Sequence, residues 1–195
     1  MRRSYHSNLA FLDLLFNSLL CFAALFVISF LLINPKQKSK TVEVKAEFLI
    51  VVEWPETLND DVDVYVEDPA GHLVFFMRRE EGLMHLDRDD LGESNDTLET
   101  PSGIVRYGEN REIVTIRGTV PGEYVVNVHM YNRKTEQTVP VTVEITKINP
   151  FATVLLDTVE LEWEGHEKTV CRFKVDSDGA VENLYYLPKS LVRLL

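Results

Sequence analysis

Residues 61–71, DVDVYVEDPAG, carry the pattern that decides the fold. Valine occupies every second position from 62 to 66, with aspartate and tyrosine between the valines. A period of two over a short run is typical of a strand that turns one face inward and the other outward. The Asp-Pro-Ala-Gly sequence that follows favours a tight turn, because proline fixes φ and glycine tolerates positive φ. The stretch therefore predicts a strand and the turn that ends it.

The same alternation recurs along the rest of the chain. Similar runs of β-branched and aromatic residues lie at residues 42–45, 113–116, 124–128, 139–145 and 169–175. Turn sequences rich in proline, glycine, aspartate and serine separate several of these runs. Roughly nine strands with little helical periodicity predict an antiparallel β-sandwich domain over residues 41–195.

Size and charge exclude several classes of protein. A chain of 195 residues holds one ordinary domain and a short appendage, which excludes a large multidomain enzyme. The 20 Lys and Arg against 31 Asp and Glu give a formal charge of −11, which disfavours nucleic acid as a partner. The chain lacks the G-x-S-x-G and phosphate-loop motifs and has no zinc-ligand spacing of His and Cys. We therefore do not expect an enzyme.

A second part of the chain precedes the predicted sandwich. Residues 14–33 carry no formal charge, and the apolar residues 9–12 extend this run across Asp13. About 20 residues at ~1.5 Å each span a hydrocarbon core of ~30 Å, so residues 9–33 predict a single transmembrane helix, with a tail at 1–8 and a linker at 34–40. A cleaved signal peptide is disfavoured, because the run exceeds an h-region of about 7–15 residues and no small-x-small site follows it.

Asp13 is the most informative residue of this helix. A carboxylate at membrane depth costs about 2.5–3.5 kcal/mol, and such groups usually face protein or a wet path. At helical spacing it forms a stripe of polar, small and apolar residues that would meet another helix. That stripe comprises Asp13, Asn17, Cys21, Ala24 and Ile28. The alternative is that Asp13 is the N-cap of a helix that begins at residue 14.

The stretch at residues 8–20, NLAFLDLLFNSLL, resembles the transmembrane helix of ExbD, TolR and MotB, the small subunits of bacterial ion-driven motors. The resemblance implies a homodimer of helices inside a ring of five polytopic MotA/ExbB-like subunits. It also implies that Asp13 is the ion-relay residue for H⁺ or Na⁺. By helix geometry, the pore-facing candidates are Asn17, Ser18 and Cys21. The all-β domain predicted here differs from the α/β periplasmic domain of ExbD.

The same resemblance implies a location and an orientation. The chain would lie in the bacterial inner membrane, with its N-terminus in the cytoplasm and the β domain in the periplasm. There the β domain would transmit rotation or force to an unknown periplasmic partner. The alternative function is a membrane-anchored β-sandwich that serves as a binding module without ion transport.

Acidic residues gather in and after the predicted strand at 61–67. Carboxylate and amide oxygens are hard ligands that suit Ca²⁺. The candidate ligands are Asp61, Asp63, Asp87, Asp89, Asp90, Asn95 and Asp96. Their spacing does not match an EF-hand loop, and the alternative is a set of solvated turns that cap backbone N–H groups. Residues 60–131 also resemble YfaP-like exported β domains, which implies a sandwich and no particular reaction.

Overall fold

The structure is a computed structural model that describes residues 8–32, 45–90, 97–101, 103–106 and 108–192. The chain divides into two units, residues 1–43 and 44–195. Residues 1–7 of the tail predicted at 1–8 and the linker predicted at 34–40 lie outside the described residues. So do residue 33 and the first predicted strand except for Lys45.

The first unit contains one helix, α1 (Leu9–Leu32), of 24 residues. Its 22-residue stretch Leu9–Phe30 is long and apolar enough to cross a membrane, and its side chains are exposed. At ~1.5 Å per residue the helix is about 36 Å long, slightly more than a hydrocarbon core. The predicted apolar helix is therefore confirmed in the described residues.

The second unit is built from β-strands. Its described residues form β1 (Phe48–Glu53), β2 (Asp61–Glu67), β3 (Leu73–Val74), β4 (Glu80–Glu81), β5 (Met84–Arg88), β6 (Thr97–Thr100), β7 (Gly103–Arg106), β8 (Arg111–Ile116), β9 (Gly122–Asn132), β10 (Val139–Lys147), β11 (Ala152–Leu161), β12 (Glu167–Val175) and β13 (Val181–Tyr185).

Two antiparallel sheets face each other across one core. The larger sheet has the order β11-β10-β1-β8-β5-β4, and the smaller has the order β13-β12-β9-β2-β3. Strands β6 and β7 form a separate hairpin. Inward-facing residues of both sheets, such as Ile50 of β1 and Val64 of β2, belong to the same buried cluster. The predicted mainly β, antiparallel sandwich is therefore confirmed.

Alternation explains which side chains fill this core. In β1, Phe48, Ile50 and Val52 are fully buried, while the residues between them are only partly covered. In β8, Val114 and Ile116 are buried in the same way. A period of two places every second residue on the inner face, so the position along the strand, and not the residue type, determines which side chains face inward.

A smaller apolar cluster covers the outer face of the smaller sheet. Tyr65 of β2 stacks on Phe75 with ring centroids 5.3 Å apart. Val125 of β9 and Leu191 from the C-terminal stretch complete the cluster with Leu73. Strand β2 is therefore buried on both faces over most of its length, which its alternating sequence did not predict.

Candidate functional site

The polar residues of α1 lie close to its start. The Asn17 side-chain amide donates to Asp13 Oδ1 at 3.3 Å, one helical turn away. Both side chains are exposed on a helix whose other residues are mostly leucine and phenylalanine. Ser18 and Cys21 lie on the same helix and are also exposed. The structure thus brings Asp13 and Asn17 together and leaves their outer side uncovered by this chain's described residues.

The helix begins upstream of Asp13. Residue Leu9 is its first residue, and the Leu12 N–H donates to the Asn8 carbonyl at 3.0 Å. Asp13 therefore lies in the second turn, and the alternative that it caps a helix starting at residue 14 is wrong. Its carboxylate cannot accept the orphan N–H groups of the first turn, because those groups lie before it.

The sandwich contains a second polar site, centred on Glu112. This residue occupies an inward position of β8, two residues before Val114, and is fully buried. Its Oε2 accepts the backbone N–H of Val64 in β2 at 2.6 Å. Strand β3 pairs only with Val66 and Glu67, so the edge of β2 at Val64 is open to a side-chain acceptor. Glu112 therefore joins the two sheets at the place where a neighbouring strand is missing.

Two aspartates lie beside Glu112. Asp63 of β2 is 4% exposed, and Asp89, just after β5, is 9% exposed. Each of Asp63, Asp89 and Glu112 has a carboxylate oxygen within 4.8 Å of the others. We call these three residues the acidic cluster.

An arginine and a histidine lie at the margin of the acidic cluster. Arg79 Nη2 lies 3.6 Å from Asp89 Oδ2, and half of the arginine side chain is exposed. His129 Nδ1, directly across from Asp63 in the β2–β9 pairing, lies 3.9 Å from Asp63 Oδ2. That separation is too long for a hydrogen bond.

Burial shapes the electrostatics of the acidic cluster. Burial raises the pKa of Glu112 well above its ordinary range, and the negative charge of Asp63 adds to the effect. Burial also raises the pKa of Asp63, although His129 opposes the shift. At the margin, burial and the charges of Asp63 and Asp89 raise the pKa of Asp61 to about 6.

The predicted Ca²⁺ ligands separate into different places. Asp63 and Asp89 belong to the acidic cluster. Asp61 lies close enough for the charges of Asp89 and Asp90 to raise its pKa. Asp90 Oδ2 accepts the backbone N–H of Arg111 at 3.0 Å. Asn95 and Asp96 lie outside the described residues.

Asp87 lies apart from the acidic cluster. Its carboxylate accepts the Thr115 hydroxyl at 2.5 Å and an Arg117 N–H at 3.0 Å on the outer face of the larger sheet. Met84 and Leu86 point inward from the same strand, so the period of two turns Asp87 outward. The prediction that Asp87 shares a site with Asp63 and Asp89 is not supported by this geometry.

Sequence reasoning missed Glu112, although a signal for it exists. The predicted alternating run begins at residue 113, and extending it back by one residue places Glu112 on the face of Val114 and Ile116. A charged residue in an inward register is rarely buried without a partner. The conflict between the charge of Glu112 and its inward position is the signal that could have identified this residue.

Comparison with known proteins identifies no relative that names a function. No family model matches the chain, and no curated protein matches it. A solved structure titled "Crystal structure of unknown function protein SAV2460" is similar at a TM-score of 0.44 and 15% identity, over 76% of this chain and 94% of that one. A similarity at this level indicates nothing about the function of this chain.

Proposed function

We propose that this protein is the small, single-pass subunit of a membrane motor driven by H⁺ or Na⁺. Two copies of α1 would pair inside a ring of polytopic subunits in a bacterial inner membrane. Asp13 would carry the ion, and the β-sandwich, in the periplasm, would transmit rotation or force to a partner.

The single observation that supports this proposal is the Asp13–Asn17 pair on a helix made mostly of leucine and phenylalanine. An exposed carboxylate at that depth is costly in lipid, so a helix that keeps one is expected to face protein or water. Asn17 provides a neutral hydrogen-bond donor one turn away. A donor of that kind steadies the carboxylate without neutralising it, which leaves Asp13 able to take up and release a cation.

The chemistry required of Asp13 is a change of charge. Loaded with H⁺ or Na⁺, the carboxyl group is neutral and compatible with an apolar surrounding. Unloaded, it is an anion that favours a wet path or a positive group on the surrounding ring. Alternation between these states changes the preferred position of the helix relative to the ring, which is how ion flow would become motion.

A second candidate function is a membrane-anchored binding module without ion transport. It is favoured by exposed apolar side chains in and just before β11, which is an edge strand of the larger sheet. Phe151, in the turn before β11, is 79% exposed, and Leu156 within the strand is 66% exposed. Exposed apolar residues on an edge strand are a common docking surface for a partner protein.

Ion flux through the purified complex tests the first proposal. The full chain is extracted in mild detergent with its membrane partners, placed in vesicles and assayed with H⁺- and Na⁺-sensitive dyes. We expect Asp13→Asn to abolish flux, because the amide cannot release an ion, and Asp13→Glu to retain part of it. Leu14→Asn is the matched control, since it adds an amide to another face of the same helix and should preserve more flux than Asp13→Asn. Undiminished flux in an assembled Asp13→Asn complex would refute the ion-relay role.

A further inference from the structure

We propose that the acidic cluster of Asp63, Asp89 and Glu112 binds one divalent cation, Ca²⁺, at the open edge of β2. The site lies in the sandwich and is independent of the ion proposed to act at Asp13. It also differs from the set of Ca²⁺ ligands predicted from the sequence, because it includes Glu112 and excludes Asp87.

The geometry of the oxygens fits one ion. Oxygens bound to Ca²⁺ at about 2.4 Å lie at most ~4.8 Å from one another when they are on opposite sides of the ion. The carboxylate oxygens of Asp63, Asp89 and Glu112 all lie within 4.8 Å of one another. Asp63 lies in β2, Asp89 directly follows β5, and Glu112 lies in β8. The backbone of both sheets therefore holds the three residues together.

Two buried oxygens lack a donor in this arrangement. Glu112 Oε1 and Asp63 Oδ2 have no hydrogen-bond partner among the residues that the structure describes, although neither atom touches solvent. Glu112 Oε2 already accepts the Val64 N–H, so Oε1 is the Glu112 oxygen that still lacks a partner among the described residues. A buried acceptor without a donor is costly, and a cation would satisfy both oxygens at once.

The charge of the acidic cluster also favours a cation. Three carboxylates meet in a largely buried place, with the half-exposed Arg79 3.6 Å from Asp89 and His129 3.9 Å from Asp63. Like charges at this spacing disfavour one another unless they are protonated or bridged by a metal. Ca²⁺ takes about six to eight oxygens, and Asp61 at the margin or water would complete the set.

Thermal unfolding with and without Ca²⁺ tests the site. The full chain in detergent is stripped with a chelator, and its Tm is measured against added CaCl₂, with isothermal titration giving the stoichiometry. We expect one ion per chain and a rise in Tm of about 5–10 °C at a free Ca²⁺ concentration ~100 times the Kd. No heat of binding and no rise in Tm in millimolar Ca²⁺ would overturn the proposal.

Three variants distinguish the site from general acidity. Glu112→Gln retains an acceptor for Val64 N–H but removes the charge, so the Ca²⁺-dependent rise in Tm should disappear while the metal-free Tm holds or increases. Asp63→Asn provides a second test should Glu112→Gln fail to fold. Asp87→Asn is the control, because Asp87 is an acid of the neighbouring strand outside the cluster, and the rise should remain. A rise retained in both Glu112→Gln and Asp63→Asn, or a larger rise with MgCl₂ than with CaCl₂, would contradict the assignment.

Discussion

The carboxylate of Glu167 fastens the C-terminal stretch of the described chain to β12. Its Oε1 accepts the backbone N–H groups of Leu191 at 2.6 Å and Val192 at 3.1 Å, together with the Asn127 side-chain amide at 2.7 Å. Its Oε2 accepts the Ser190 hydroxyl at 2.6 Å. Leu191 is thereby held in the small apolar cluster against Tyr65, so one ionised group secures part of the outer cover of β2.

Removal of this carboxylate should destabilise the protein in a pH-dependent way. Burial alone would raise the pKa of Glu167, but hydrogen bonds from Ser190, Leu191, Asn127 and Val192 outweigh burial and lower it. A lowered pKa in the folded state adds stability above the ordinary pKa of glutamate, and this stability is lost as the pH falls through the lowered value. We expect Glu167→Ala to cost about 1–3 kcal/mol at pH 7 in urea unfolding.

The pH profile and a matched variant check this assignment. The difference in unfolding free energy between the native protein and Glu167→Ala should shrink as the pH is lowered from 5 to 3. Glu182→Ala is the control, because Glu182 is an exposed acid paired with Lys174 at 3.1 Å, and its loss should change stability by no more than about 0.5 kcal/mol. A difference for Glu167→Ala that stays constant with pH would contradict the proposed role of its charge.

Residue-level prediction from the sequence succeeds where a side chain follows the period of its strand or helix and its partners are close in sequence. The pairing of Asp13 with Asn17 follows from helical spacing alone. The hydrogen bond from Val64 to Glu112 connects residues 48 positions apart, so no local sequence pattern predicts it. Asp63 and Asp87 are both acidic, but only the placement of their strands determines that one is buried and the other is not.

At the scale of elements, β1 occupies an interior place in the larger sheet. Each of its six residues is paired with a residue of β8 on one side and of β10 on the other. Ile50, at its centre, is fully buried between the sheets. Strand β11, in contrast, lies at the edge of the same sheet and exposes Leu156.

Substitutions in these two strands should have very different costs. We expect Ile50→Ala to lower the free energy of unfolding by about 2–5 kcal/mol, because it removes buried methyl groups and leaves a cavity. Leu156→Ala, which truncates a similar side chain at the edge, should cost no more than about 0.5 kcal/mol. Urea unfolding followed by tryptophan fluorescence measures both, and equal costs would show that β1 is less buried than the sandwich requires.

The strength of alternation determines which strands the sequence predicts. The runs within β2, β8, β9, β10 and β12 alternate clearly and form strands as predicted. Strand β1 has an unbroken apolar run, FLIVV, which is ambiguous between a buried strand and a helix turn. Strands β3 and β4 have two residues each and exist only because neighbours pair with them, so no periodicity could reveal them.

At the scale of the whole molecule, the proposed motor and the proposed binding module predict different assemblies. A motor subunit should leave the membrane in mild detergent as two copies bound to a ring of polytopic chains. An anchored binding module should appear alone or with soluble partners. Native mass spectrometry of the full chain with a small C-terminal tag measures this directly, and a lone dimer without a polytopic partner would contradict the motor proposal.

The interior position of β1 has a mechanical consequence. Among the described residues, β1 is the first strand of the sandwich after α1, so a pull transmitted along the chain enters the larger sheet at β1. Antiparallel hydrogen bonds run perpendicular to the strands, so tension along β1 loads its bonds to β8 and β10 together in shear. The same tension on an edge strand such as β13 would be resisted by bonds on one side only, those to β12. Backbone hydrogen bonds on both sides of β1 therefore resist traction at this attachment. They do so without a covalent cross-link, because Cys21 and Cys171 are both free thiols.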